Sequence, residues 1–129
     1  MMKNWTFLHL FVDEMGISHV NHHATHELNA THFAPPAPPM LVSETIDTQS
    51  FIIIELPVGW QGGWHPSPNN QWVICLSGKM GYQAEDGTEF FLDAGSCILT
   101  TDTNGNGHNS WNAGSTPIQL AVIQLPSPD

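Results

Sequence analysis

The chain is written in short apolar runs, several of them alternating apolar with polar, and turn residues cut each run off. Alternation with a period of two marks a strand that buries one face. Residues 40–46 (MLVSETI), 49–56 (QSFIIIEL) and 71–76 (QWVICL) are expected to be strands on this basis. Ser77-Gly78-Lys79 then turns the chain into 80–85. Asp86-Gly87, a strong hairpin signal, leads to 88–92 (TEFFL). Ala94-Gly95 turns again into 96–101, and a polar loop runs from Asp102 to Gly107. Strands at 108–112 and 117–125 complete the pattern. A helical period appears only weakly, around residues 20–30. Many short strands at regular turn spacing predict an all-β sandwich or barrel.

One stretch is compositionally biased, Ala34-Pro35-Pro36-Ala37-Pro38-Pro39. It reads as a polyproline II strap crossing the surface. A docking site for a proline-recognising partner is the weaker reading, because the stretch lies inside the domain rather than in a tail. The length, 129 residues, suits one domain with one core, 1–129, in which residues 1–48 supply N-terminal strands and the strap.

Charge narrows the function. Two Lys and Arg stand against 12 Asp and Glu, a formal charge of −10. A nucleic-acid binder neutralises phosphates with cationic side chains, and this chain has almost none. An anionic membrane would repel it for the same reason. Cys75 and Cys97 each sit inside an apolar run, which suits buried free thiols better than a disulfide framework. Residues 5–12 are too short for a secretory signal core, and no run approaches a membrane span. The expectation is a soluble cytoplasmic protein.

Two segments concentrate the chemistry. Residues 59–78 place Gly59 five residues before His65, with Ser67, Gln71 and Gly78 at further fixed intervals. Residues 105–112 read Gly-Asn-Gly-His-Asn-Ser-Trp-Asn. The first segment resembles the first cupin motif, Gly-x5-His-x-His-x3–4-Glu-x6-Gly. Ser67 stands at its second His and Gln71 at its Glu. The second resembles the end of the second cupin motif, Gly-x-x-His-x-x-x-Asn, without a break. Upstream, Gly95 fits as well, while Thr103 replaces the motif's Pro and the loop is two residues longer. The core motifs thus span 59–78 and 95–112. A closer likeness is to small single-domain cupins sharing His65-Pro66-Ser67-Pro68, the Asp102-Thr103-x-Gly105-x-Gly107-His108 run, Ser18-His19 and the Pro-rich strap.

The resemblance implies a small double-stranded β-helix, or jelly-roll, barrel with its site inside. In metal-binding cupins these motifs supply three His and a Glu to a divalent ion, often Fe, Mn, Ni or Zn. Here His65 and His108 are retained, and Gln71 offers only a neutral carbonyl oxygen. A weak metal site is therefore expected on His65, His108 and Gln71. His19 is the first candidate for a further ligand; His22, His23, His26, His32 and Asp102 are others. The His22–His26 cluster has an alternative reading as a solvated polar segment.

Strand alternation adds pocket-lining candidates. If Gln71 points inward, so do Val73 and Cys75; if His108 does, so do Ser110 and Asn112. Ser67 and Asp102 flank them. Trp60 and Trp64 suit the pocket wall, whereas alternation puts Trp72 and Trp111 outside. No Gly-x-Ser-x-Gly elbow and no phosphate-binding Gly loop ahead of a helix is present.

Three readings compete, and the first is preferred. It is a small-molecule enzyme assisted by a divalent metal, an oxygenase, isomerase or lyase. The second is a metal-free small-molecule binding protein or sensor using the same pocket. The third is an oligomer whose barrel is only a scaffold. A homodimer formed through edge strands is expected in any of them.

Overall fold

A computed structural model describes residues 2–127, and all regular structure in that range is β-strand. The strands are β1 (Met2–Val12), β2 (Ser18–Thr31), β3 (Met40–Val42), β4 (Ser50–Leu56), β5 (Gln61–His65) and β6 (Gln71–Ser77). They continue as β7 (Lys79–Ala84), β8 (Glu89–Asp93), β9 (Cys97–Thr100), β10 (His108–Asn112) and β11 (Ile118–Gln124). Seven form one sheet in the order β3-β2-β1-β9-β6-β11-β4, and four form another in the order β5-β10-β7-β8. The fold is thus all-β in two sheets.

The strand expectations from residue 49 onward hold to within about two residues, and three others change. Residues 20–30 lie in a strand, not a helix: β2 pairs antiparallel with β1 from Met2↔Asn29 to Val12↔Ser18. This segment is rich in His, Asn and Thr, which favour helices little, so the long ladder decides. The expected strand 40–46 ends at Val42: β3 pairs with β2 only over Met40–Val42, opposite Thr31–Asn29, and residues 43–48 leave the ladder although β2 continues. The Pro-rich stretch is not an extended strap. Ala37 N–H donates to Ala34 O at 2.9 Å, closing a turn around a cis Pro35–Pro36 bond.

The main core lies between the sheets. Leu10, Val73, Cys75, Ile98, Leu120 and Val122 come from the larger sheet; Met80, Tyr82, Ala84, Phe90 and Leu92 come from the smaller. A second, smaller cluster of Phe7, Trp72 and Cys97 packs on the outer face of the larger sheet. Trp72 therefore faces outward as alternation requires, yet it is only 7% exposed. Both cysteines are free and buried. No helix among the described residues is long and apolar enough to cross a membrane.

Candidate functional site

The antiparallel ladder between β10 and β5 pairs His108 directly with His65, and Ser110 with Gly63. Directly opposed residues share a face of the sheet. Here that face looks inward, onto a cavity of about 450 Å3 between the sheets. Its polar lining is His65, Ser67, Gln71, Thr100, His108, Ser110 and Gln124. The rest of its wall is mostly apolar: Ile52, Ile54, Leu56, Trp60, Val73, Met80, Leu120 and Val122. Among the described residues, no Lys, Arg, Asp or Glu side chain lines it.

Glycine makes the close approach of the two motifs feasible. Gly107 has φ +70°, and a Cβ there would collide with the His65 carbonyl oxygen. Its own carbonyl accepts the Ser18 hydroxyl proton at 2.7 Å, which ties the loop before His108 to β2. Gly62 similarly leaves room for the Trp60 ring, which packs against the core and lines the cavity.

Both imidazoles are oriented through Nδ1. His108 Nδ1 meets Asp102 Oδ2 at 2.5 Å, and the Ser67 hydroxyl donates to Asp102 Oδ1 at 2.8 Å. Asp102 is fully buried and His108 is 5% exposed. His65 Nδ1 donates to its own strand, at Gly63 O, 2.8 Å. An acceptor at Nδ1 places the neutral ring's proton there and leaves a lone pair on Nε2. The two rings lie 4.7 Å apart, centroid to centroid, inclined at 58°. Tyr82 adds an aromatic wall, its ring 5.6 Å from His108 and stacked on Phe90 at 5.2 Å. Burial pushes the Tyr82 hydroxyl well above the usual phenol range, so it stays protonated as a donor.

The expected site residues divide into three groups. His65, His108, Gln71, Ser67, Trp60, Val73 and Ser110 come together at the cavity. Asp102 stands behind His108 as its hydrogen-bond partner and does not line the cavity. Cys75, His19, Trp64 and Asn112 lie elsewhere. Cys75 is wholly buried in the core, its Sγ near Ser77 O and Gly78 O. His19 is held outside by two carboxylates: Asp13 at 2.7 Å on Nε2 and Asp86 at 2.8 Å on Nδ1. It is Ser18, its neighbour on β2, that turns inward and is fully buried. Trp64 sits opposite Asn109 on the outer face and is 47% exposed. Asn112 is a clasp: its amide donates to Pro57 O and Thr116 O, and its carbonyl accepts from Gly114 N–H.

Tyr82 and Thr100 line the cavity without having been singled out in the sequence. The available signal was register, since Tyr82 lies opposite Ser110 and Thr100 opposite Gln71. His22, His23 and His26 do not gather into a ligand cluster, and His26 instead stacks on Trp5.

The donor chemistry can be set against the metal that the motifs imply. Two Nε2 lone pairs face the cavity. The Gln71 amide oxygen already accepts from Gln124 at 3.3 Å, and the Ser67 hydroxyl donates its proton to Asp102. Among the described residues, no three His, Cys, Asp or Glu are placed to hold one ion. Tight divalent sites use at least three good donors, commonly with charge. The residues present do not fit a tightly held metal.

A family profile for the cupin domain matches residues 52–124. The match spans both histidines and more than half of the chain, so the chain belongs to the cupin family. Solved structures similar to it include the conserved SPY1581 protein of unknown function from Streptococcus pyogenes (22% identity, 67% of this chain and 71% of that one, TM-score 0.46). Others are the cupin domain of Schizosaccharomyces pombe Cnp3 (18%, 96% and 84%, 0.48) and a putative ethanolamine utilization protein Q from Salmonella typhimurium (10%, 98% and 99%, 0.40). No curated protein matches the chain.

Proposed function

We propose that this cupin binds a small, neutral, largely apolar molecule in its inner cavity, with a hydroxyl or other proton-bearing group of the ligand set against His65 and His108. The observation that carries the reading is the pair of imidazoles anchored at Nδ1, which presents two Nε2 proton acceptors to the cavity. Absence of charge on the lining supports a neutral ligand: an ionised phosphate or ammonium would enter without a counter-charge. The size falls in the range of small-molecule sites. Asp102 would hold the His108 ring and stabilise it once it accepts a proton, so a bound acid could be deprotonated there.

A second reading is favoured by the same anchoring. Metal-ligating histidines commonly donate the other ring N–H to a carboxylate or backbone carbonyl. His65 and His108 together would then hold a divalent ion weakly.

One experiment separates the two. Untagged protein purified without chelator is assayed for metal by mass spectrometry, and then titrated calorimetrically with Zn2+ and with a panel of neutral phenols and alcohols. The expected result is substoichiometric metal, together with a phenol or alcohol that binds the native chain and fails to bind His65→Ala and His108→Ala. About one equivalent of a single metal, lost in both variants, would replace the first reading with the second.

A further inference from the structure

Two polar rungs, one from each sheet, face each other across the inner cavity. β5 ends at His65 and β6 begins at Gln71; β9 ends at Thr100 and β10 begins at His108. Both connections cross from one sheet to the other, and the Ser67 N–H of the first donates to Asp102 O of the second at 3.0 Å. His65 pairs with His108 on one wall, and Gln71 pairs with Thr100 on the other. The next inward rung beside Gln71 is apolar, Ile98 against Val73 against Val122.

A chain of hydrogen bonds starting at Ser50 sets the polarity of the Gln71 wall. The Ser50 hydroxyl donates to Gln124 Oε1 at 2.9 Å, so the other arm of that amide is its NH2. That NH2 donates to Gln71 Oε1 at 3.3 Å. The oxygen that the sequence offered to a metal is therefore occupied, and the free arm of Gln71 is a donor. Among the described residues, Gln71 Nε2 meets no acceptor. Thr100, opposite it, lines the cavity and is 2% exposed, yet among the described residues its Oγ1 has no partner. Buried hydroxyls are seldom left in that state.

We propose that the ligand is a neutral carbonyl compound with an O–H or N–H beside the carbonyl, and that Gln71 and Thr100 select it. This rests on the reading that His65 and His108 accept a ligand proton. The carbonyl oxygen then accepts from Gln71 Nε2 and supplies the partner that the Thr100 hydroxyl lacks. Carboxamides and α-hydroxy ketones carry both groups side by side; simple alcohols and phenols carry only the proton donor. One wall accepts and the other donates, so a molecule with a single polar group leaves one wall unpaired and binds less tightly.

Calorimetric titration of the untagged full chain with probes of similar size tests this. Benzamide and α-hydroxyacetophenone carry both groups, benzyl alcohol the donor alone, and acetophenone the acceptor alone. The expected result is that the first two bind about tenfold more tightly than benzyl alcohol or acetophenone. Gln71→Leu should erase the margin over benzyl alcohol while benzyl alcohol still binds, which also shows that the variant folds. Thr100→Val should narrow the margin without lowering the melting temperature, because its hydroxyl bonds nothing in the free protein. Equal affinity for benzamide and benzyl alcohol, or a margin kept in Gln71→Leu, overturns the carbonyl class and leaves the histidine pair's role standing. Failure of every probe to bind, or binding that survives His65→Ala and His108→Ala, overturns that role and this proposal with it.

Discussion

His65 and His108 face each other across the β5–β10 ladder, each ring fixed by an acceptor at Nδ1, yet the two acceptors differ in kind. His65 uses a backbone carbonyl of its own strand. His108 uses a fully buried carboxylate that also takes the Ser67 hydroxyl. Only the second can be removed by substitution without moving the backbone.

Asp102→Ala should therefore be costly. It leaves the His108 N–H and the Ser67 hydroxyl buried without an acceptor, a loss of about 3 kcal/mol. Urea denaturation measures it directly. Ser67→Ala removes one of the two bonds and leaves Asp102 paired with His108, so a loss nearer to 1 kcal/mol is expected. Equal losses in the two variants would mean that the His108 contact contributes nothing.

Gly107 and Gly87 make a controlled pair. Both have positive φ, +70° and +97°, so alanine at either pays the left-handed penalty of about 1–2 kcal/mol. At Gly87 a Cβ meets nothing within 4 Å; at Gly107 it meets the His65 carbonyl and Pro66. Gly107→Ala should lose more stability than Gly87→Ala and also displace His65. The imidazole resonances of His65 and His108 in NMR spectra should shift in the first variant and stay in place in the second.

The His19 tether should respond to pH with a definite sign. Hydrogen bonds donated by the His19 ring to Asp13, and next to Asp86, raise its pKa above the ordinary 6.5. The contact joins the β1–β2 turn to the β7–β8 turn. Its stabilisation is fully present below 6.5 and fades as pH rises through the raised folded value. Asp13 behaves oppositely: the His19 hydrogen bond lowers its pKa, so its share fades as pH falls through a value below 3.8. His19→Ala should flatten the rise in melting temperature on going from neutral pH to about pH 6. An unchanged profile would remove the tether from the account.

The thiols should be silent until the chain unfolds. Burial pushes Cys97 up to about 12 and raises Cys75 as well. The thiolate is the reactive form, so a disulfide-exchange reagent at mildly alkaline pH should label neither residue in the native protein. Both should react at the rate of unfolding in denaturant. Rapid labelling of one thiol in the native state would show that its side of the core opens locally.

The fold was legible because period-two runs and turn dipeptides act locally. Asp86-Gly87 and Ala94-Gly95 each predict a turn without reference to the rest of the chain. The two histidines were legible because motif spacing fixes their strands. What escaped depends on partners far away in sequence. The β2 segment looks weakly helical alone, and its long ladder with β1 makes it a strand. His19 fitted a motif, but its strand turns Ser18 inward instead, and Asp13 and Asp86 occupy the ring. Asp102 was visible as a nearby carboxylate, whereas its bond to Nδ1 required the loop to fold back onto Ser67. Trp64 was assigned to the pocket from its place beside His65, but adjacent strand residues take opposite faces.

The strand β4 reads Ser-Phe-Ile-Ile-Ile-Glu-Leu, and its two faces serve different surfaces: Ile52, Ile54 and Leu56 the cavity, Phe51 and Ile53 the outside. Sliding β4 by one residue along β11 would exchange those sets; Ile52 and Ile54 would be replaced by equally apolar Phe51 and Ile53, and only at the C-terminal end would the slip turn a charged residue, Glu55, inward in place of Leu56. The apolar middle of the strand, Phe51 to Ile54, therefore cannot choose its alignment. The choice falls to its ends, where the Ser50 hydroxyl donates to Gln124 Oε1 at 2.9 Å and the Gln119 amide donates to Glu55 at 3.2 Å. Two polar contacts at the margins thus act as the indexing marks that keep one wall of the cavity from becoming its exterior.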